Sequence, residues 1–300
     1  MTASVRVRVP AKVNLALRVG GTDEQGYHEL GTVFQAVSLG DEVLAEEAKP
    51  GQFRLSFQGE GAAFLPVDDT NLAVKAAKLL ARHFDVADAG VTLSIRKRIP
   101  VAGGMAGGSA DAAATLVGCN ALWGIGAHRE DLYPLAAQLG ADVPFMLMGG
   151  TAIGTGRGDK LVPVITQGTY HWVFALSHSG LSTPSVFQQF DAMSDPRPTD
   201  IPHALLEALR AGDAAGVGGN LINDLQDAAI ALLPGLAHTL KLGMDAGALG
   251  AVVSGSGPTC AFLAGSEAHS LEVAEELGVF SGVRAVRRAY GPVAGAQVMV

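Results

Sequence analysis

Residues 99–116, IPVAGGMAGGSADAAATL, set four glycines (103, 104, 107 and 108) directly before an alanine-rich stretch with helical spacing. Just upstream, VTLSIRK at 91–97 alternates Val91, Leu93 and Ile95 against Thr92, Ser94 and Arg96, the pattern of a strand. A strand, a glycine loop and a helix opening at Ser109 form a restrictive arrangement. Unpaired N–H groups at a helix start carry partial positive charge, and glycine admits an anion to them without Cβ obstruction. The stretch reads as an anion cradle, although tight turns alone would also use the glycines. Ser109 suits a helix N-cap, and equally a hydroxyl for a phosphate oxygen or Mg²⁺.

The known phosphate loops fail here. Gly103 to Gly108 gives GxxxxG, but Ser109 stands where a P-loop carries lysine. No GxGxxG, HExxH or GxSxG occurs either. A cradle without its own lysine draws positive charge from another segment.

Three hundred residues suggest two units, each able to bury a core, and 48% hydrophobic with 17% charged residues is a globular composition. A formal net charge of −8, with no basic run longer than the three residues Arg96-Lys97-Arg98, argues against a nucleic-acid partner. MTASVRVRVP lacks the apolar core of a signal peptide, and no stretch approaches about 18 apolar residues, so a cytoplasmic protein with no membrane partner is expected. Cys119 and Cys260 have no metal spacing and read as reduced, buried thiols.

Val5, Val7 and Val9 alternate with Arg6 and Arg8 as in a half-buried strand. A second alternation follows, burying Val13, Leu15, Leu17 and Val19, so Lys12, Asn14 and Ala16 share the opposite face. Further strands are expected near 33–39, 41–46 and 53–58, and a helix over about 70–84 capped by Thr70. Helices follow at 109–123, 130–139 and 143–148, then a short strand broken by a glycine loop at 149–160. Beyond residue 165 the pattern predicts strands at 170–176, 249–254, 259–264 and 284–290, with helices at 183–193, 202–211, 220–232, 235–247 and 267–278. Without a regular βαβ cadence, this is a two-domain α+β chain.

Three segments together resemble the GHMP kinase superfamily: PAKVNL at 10–15, Pro100 to Ala110 against the pattern PxxxGLGSSAA, and VSGSGPTCAFL at 253–263. Within it, QGYHEL at 25–30, LGADVPF at 139–145 and NLINDLQ at 220–226 are similar to the DGYHEL, LGADVPF and NDLE-type helix of the 4-diphosphocytidyl-2-C-methyl-D-erythritol kinases. Gln25 replaces the usual acid of that turn, and Met105 the common Leu of the second motif.

The resemblance implies a GHMP kinase fold, with a nucleotide-binding domain at 1–165, a ferredoxin-like domain at 166–300 and the active site in the cleft between them. It implies ATP and Mg²⁺ as cofactors and a small-molecule substrate, 4-diphosphocytidyl-2-C-methyl-D-erythritol, in a monomer or homodimer. Asp142 becomes the general base for the 2-hydroxyl and Lys12 its electrostatic partner. From spacing alone, Asp142 reads as an N-cap for the helix at Val143-Pro144, and Lys12 as a snorkelling surface lysine. ATP's triphosphate lies over Pro100, Val101, Ala102, Gly103, Gly104, Met105, Ala106, Gly107, Gly108, Ser109 and Ala110, with Asn71 and Lys97 near the nucleotide. No protein ligand to the metal is assigned, and Asp111 in the helix's first turn is structural. On the acceptor side Asn14 bonds substrate or Asp142, Tyr27 and Phe187 sandwich the cytosine, His28 reads its polar edge, and Thr183 helps place the diphosphate or sugar. The loop Gly255 to Thr259 touches substrate.

Two other functions compete. A homoserine- or mevalonate-type kinase would share the glycine motifs but has no reason for GYHEL or LGADVP. A nucleotide sensor without turnover would not need Lys12 and Asp142.

Overall fold

The computed structural model describes residues 3–24, 26–195 and 197–299; Gln25 lies outside them. The two N-terminal alternations merge into one strand, β1 (Ser4–Thr22), paired antiparallel with β2 (His28–Glu47), itself a single strand where two were expected. Bulges between Pro10 and Ala11 and between Asn14 and Ala16 flank Lys12 and Asn14. Both faces of β1 are buried in this region, Val13 and Leu15 on one, Lys12, Asn14 and Ala16 on the other. The second face is not half-buried as its polarity suggests, because a distant glycine loop covers it.

The chain continues through β3 (Phe53–Gly59), α1 (Leu72–His83), β4 (Val91–Lys97), α2 (Gly107–Leu122), α3 (Arg129–Leu139), α4 (Val143–Met148), β5 (Thr151–Thr155) and β6 (Lys160–Pro163). Asn71, not Thr70, caps α1: its side chain accepts from Ala73 N, while Thr70 Oγ1 turns to Asp68. Helix α2 is buried almost all round by its alanines, and a Cβ on Gly118 would already meet Val7 Cγ2 at 3.3 Å. Small residues let this helix lie close against the sheet, which holds its N-terminal loop firmly.

The second half runs β7 (Tyr170–Ser177), α5 (Thr183–Met193), α6 (His203–Ala211), α7 (Ala214–Gly219), β8 (Ile222–Asn223), α8 (Gln226–Leu232), α9 (Gly235–Asp245), β9 (Gly250–Val253), β10 (Cys260–Ala264), α10 (Glu267–Gly278), β11 (Val283–Gly291) and β12 (Gln297–Val298). The helix expected at 220–232 is therefore broken: a two-residue strand precedes a shorter helix. Two sheets result. The first carries β12-β1-β2-β4-β3, with β5 on β2, β6 on β5 and β8 on β1; the second is antiparallel in the order β11-β7-β10-β9. Trp172 of β7 donates to Gln35 Oε1 of β2 at 2.9 Å, joining the sheets through a buried bond. Cys119 and Cys260 are free and buried, and burial pushes the Cys260 thiol up to about 12. Among the described residues, no helix is long and apolar enough to cross a membrane.

Candidate active site

The glycine loop is held by backbone on both sides. Gly104 has φ +71° and lies so close to the β9–β10 loop that a Cβ there would sit 1.9 Å from Ser254 O. Ser254 Oγ donates to Gly104 O at 3.1 Å, and Lys12 N donates to Met105 O at 3.4 Å. The helix opens at Gly107, two residues earlier than expected, with Ala106 in the left-handed conformation at the cap. Gly107, Gly108 and Ser109 thus supply the free N–H groups of the first turn and line the cleft. Met105 and Ala110, expected at the nucleotide, are fully buried and support the loop from behind.

Behind the loop lies an ion cluster that sequence reading left unassembled. Lys97 Nζ contacts Asp41 Oδ2, donates to Asp111 Oδ2 at 2.7 Å and reaches Gly107 O at 3.3 Å. Asp41 Oδ1 also accepts from Arg98 N and Ile99 N, at 2.6 and 2.9 Å. Lys97 therefore ties the end of β4 to the first turn of α2. Burial by itself would lower its pKa, but the carboxylates of Asp111 and Asp41 outweigh it and raise the value. Asp111, in the second turn rather than the first, has its own carboxyl pushed up to about 8, chiefly by burial. Its Oδ1 has no hydrogen-bond partner among the described residues.

A second buried ammonium, that of Lys12, lies beside the loop. Its Nζ is 2.6 Å from Asn14 Oδ1, 4.0 Å from Asp142 Oδ2 and 5.6 Å from the Phe34 ring centroid. Asn14 Nδ2 donates in turn to Thr32 Oγ1 at 2.9 Å, which fixes the amide's orientation. Burial lowers the Lys12 pKa, and the Asp142 carboxylate offsets part of that shift. Asp142 occupies the N-cap position of α4, yet its side chain makes no capping bond; a third of it is exposed to the cleft. The capping expected from spacing thus does not compete with Lys12 for the carboxylate.

On the acceptor side, His28 donates from Nδ1 to Gly20 O at 2.8 Å, and its Nε2 lies 3.1 Å from Asp191 Oδ1. Phe187 stacks on His28 itself, centroids 5.1 Å apart and planes 21° apart. Tyr27, 52% exposed, has the guanidinium of Arg157 5.2 Å from its ring centroid. Arg157 went unnoticed in the sequence because it stands in the glycine loop between β5 and β6, which carries no motif. Thr183 Oγ1 and Ser256 Oγ share a hydrogen bond of 2.8 Å, linking the start of α5 to the loop after β9.

The first turn of α2, Lys12, Asp142, Tyr27, His28, Phe187 and Thr183 line one cleft of about 1510 Å³. That exceeds the roughly 300–1,000 Å³ of a pocket for one drug-sized ligand, so two bulky ligands fit side by side. Phe57, Leu65, Pro66 and Leu72 form an apolar wall beside the glycine loop, and the polar Asn71 lines the cleft next to them; of these only Asn71 was foreseen. No cluster of three or more His, Cys, Asp or Glu able to hold a metal occurs among the described residues. Ser109 Oγ, which lines the cleft at the helix start, is an oxygen group suited to a hard cation whose remaining ligands are phosphate oxygens and water.

Residues 71–150 match the GHMP kinases N terminal domain, and residues 205–280 the GHMP kinases C terminal. The chain is 53% identical to 4-diphosphocytidyl-2-C-methyl-D-erythritol kinase of Mycolicibacterium smegmatis, over 99% of this chain and 93% of the relative. A crystal structure of 4-(cytidine 5'-diphospho)-2C-methyl-D-erythritol kinase superposes with TM-score 0.78 at 34% identity, covering 95% of this chain and 98% of that one. Homoserine kinase from Cytophaga hutchinsonii superposes with TM-score 0.74 at 21% identity, covering 99% and 97%, a likeness of fold alone. With one such relative matched nearly end to end and both halves of the GHMP architecture present, the chain belongs to the 4-diphosphocytidyl-2-C-methyl-D-erythritol kinase family of GHMP kinases.

Proposed function

We propose that this kinase transfers the γ-phosphoryl group of ATP to the 2-hydroxyl of 4-diphosphocytidyl-2-C-methyl-D-erythritol, releasing the 2-phosphate and ADP for isoprenoid precursor synthesis. The observation that carries the site assignment is the buried Lys12 ammonium facing the Asp142 carboxylate across 4.0 Å, in the same cleft as the free N–H groups of α2. A hydroxyl oxygen about 2.8 Å from each group bridges them. Asp142 takes the hydroxyl proton as the oxygen attacks phosphorus and the bond to the ADP oxygen breaks. Lys12 keeps Asp142 ionised and offsets charge on the entering oxygen. The N–H groups of Gly107, Gly108 and Ser109 hold phosphate oxygens. Ser109 Oγ, in the first turn of α2 on the cleft, would be the protein oxygen nearest to hand for Mg²⁺, which when bound with ATP would offset phosphate charge.

Tyr27 and Phe187 take the cytosine between them, His28 reads its edge, and Thr183 with Ser256 places the sugar or diphosphate. Phe187 stacks on His28, which supports its ring. The test is incubation of the pure protein with ATP and Mg²⁺ in parallel with this alcohol, homoserine and mevalonate. ADP release and a new phosphomonoester signal by ³¹P NMR are expected with the cytidyl substrate alone. Turnover confined to homoserine or mevalonate overturns the acceptor assignment.

A further inference from the structure

The NLINDLQ motif does not form the helix its spacing suggests; its Asn223 is a buried bracket, 8% exposed, between β1 and the loop after β9. Strand β8 pairs parallel with β1 through Ala16↔Ile222 and Leu17↔Asn223, just beyond Asn14. Asn223 Nδ2 donates to two carbonyls, Val253 O and Gly255 O, each at 2.7 Å, while Oδ1 accepts from Leu225 N at 2.9 Å. Both bonded carbonyls flank Ser254, the residue whose hydroxyl holds Gly104 O. The next residue, Gly255, closes on the reaction centre: a Cβ there would stand 3.0 Å from Gly104 O, 3.1 Å from Lys12 Nζ and 3.4 Å from Asn14 Oδ1. Asp224 anchors the other side of the bracket, its N–H to Leu17 O at 2.8 Å and its Oδ2 to Val19 N at 3.0 Å.

We infer that Asn223 is a positioning residue for phosphoryl transfer: its carboxamide sets the 253–255 loop against Lys12 and Gly104, and so fixes the ammonium relative to the phosphate-binding loop. It acts through the loop and touches neither substrate. The role demands an amide. Aspartate has the same shape but no donor, and would turn a carboxylate oxygen toward two carbonyl oxygens; alanine leaves both carbonyls unpaired. This inference rests on the reading of Lys12 and the glycine loop given under the proposed function.

The experiment compares Asn223→Asp and Asn223→Ala with wild type in ATP, Mg²⁺ and 4-diphosphocytidyl-2-C-methyl-D-erythritol, alongside ¹³C NMR titration of the Lys12 side chain. Misplacement of reacting groups by about 1 Å costs on the order of 100-fold, so kcat should fall about 10- to 100-fold in both variants, with both KM values within about threefold. The loosened loop admits water to Lys12, whose titration should move up toward the ordinary lysine range. Val273→Ala, on the buried face of α10, serves as a stability control that keeps wild-type kcat and Lys12 titration. If Asn223→Ala does not fold, Asn223→Ser, which retains one donor, takes its place. An Asn223→Asp variant with kcat within about threefold of wild type and an unmoved Lys12 titration overturns the inference. Absence of turnover in wild type, with the Lys12 titration still displaced in the variants, instead overturns the acceptor assignment and leaves the bracket standing.

Discussion

Lys12 Nζ faces Asp142 Oδ2 across 4.0 Å, and the two residues come from segments 130 positions apart. Burial makes the ammonium harder to keep charged, and the carboxylate is the group that counteracts it. Lys12 should therefore titrate below the ordinary lysine range, and Asp142→Asn should lower its value further. Side-chain ¹³C NMR of the two proteins measures both. A Lys12 value unchanged by Asp142→Asn would mean that the pair is not electrostatically coupled.

Asp111 predicts a pH effect on stability. Its native pKa, pushed up to about 8 by burial, lies above that of the unfolded chain, so the native state binds the proton more tightly. The stabilisation is complete below the ordinary carboxylate range and is lost as pH rises through about 8. Asp111→Asn cannot ionise and keeps an oxygen for Lys97. Urea unfolding between about pH 5 and about pH 9 should show wild type losing stability relative to this variant as pH rises. Parallel curves would contradict a proton on Asp111.

Arg157 lies over the exposed ring proposed to stack the cytosine. An exposed cation–π contact is worth about 0.5–1 kcal/mol, so Arg157→Ala should raise KM for the cytidyl substrate roughly two- to fivefold. KM for ATP and kcat should stay as in wild type. A larger change in the ATP KM would place Arg157 on the nucleotide side.

Gly104→Ala should destabilise the fold by at least about 2 kcal/mol, combining a left-handed backbone with a Cβ driven into Ser254 O. Urea unfolding reads this directly. Gly108→Ala, whose Cβ would meet only Leu72 Cδ1 at 3.9 Å, should retain wild-type stability.

The sequence carried the site's local parts well. Strand, glycine loop and helix over 91–122 were visible as a change of period from two to helical spacing, and the two-residue step from Lys12 to Asn14 predicted a shared face that their 2.6 Å contact bears out. What escaped notice depends on tertiary contact. The Asp41–Lys97–Asp111 cluster joins three segments with no common motif, and only the fold shows that all three Nζ donors of Lys97 are spent inside the protein. Asn223 misled because NLINDLQ and its alanine-rich continuation have helical spacing, whereas its side chain is committed to backbone groups of a distant loop, bonds that compete with a helix. At Asn71 the error was one residue, since Thr and Asn are both good caps and Thr70 was taken up by Asp68.

The central claim is that Asp142 takes the acceptor's proton beside Lys12, and the kcat of Asp142→Asn, alone and combined with Lys12→Met, tests it most directly. Loss of a general base should lower kcat about 10²- to 10⁴-fold, and the double variant should be little worse than the poorer single one, because the two groups act as a unit. An Asp142→Asn enzyme retaining kcat within about threefold of wild type, or losses that simply multiply in the double variant, would contradict it.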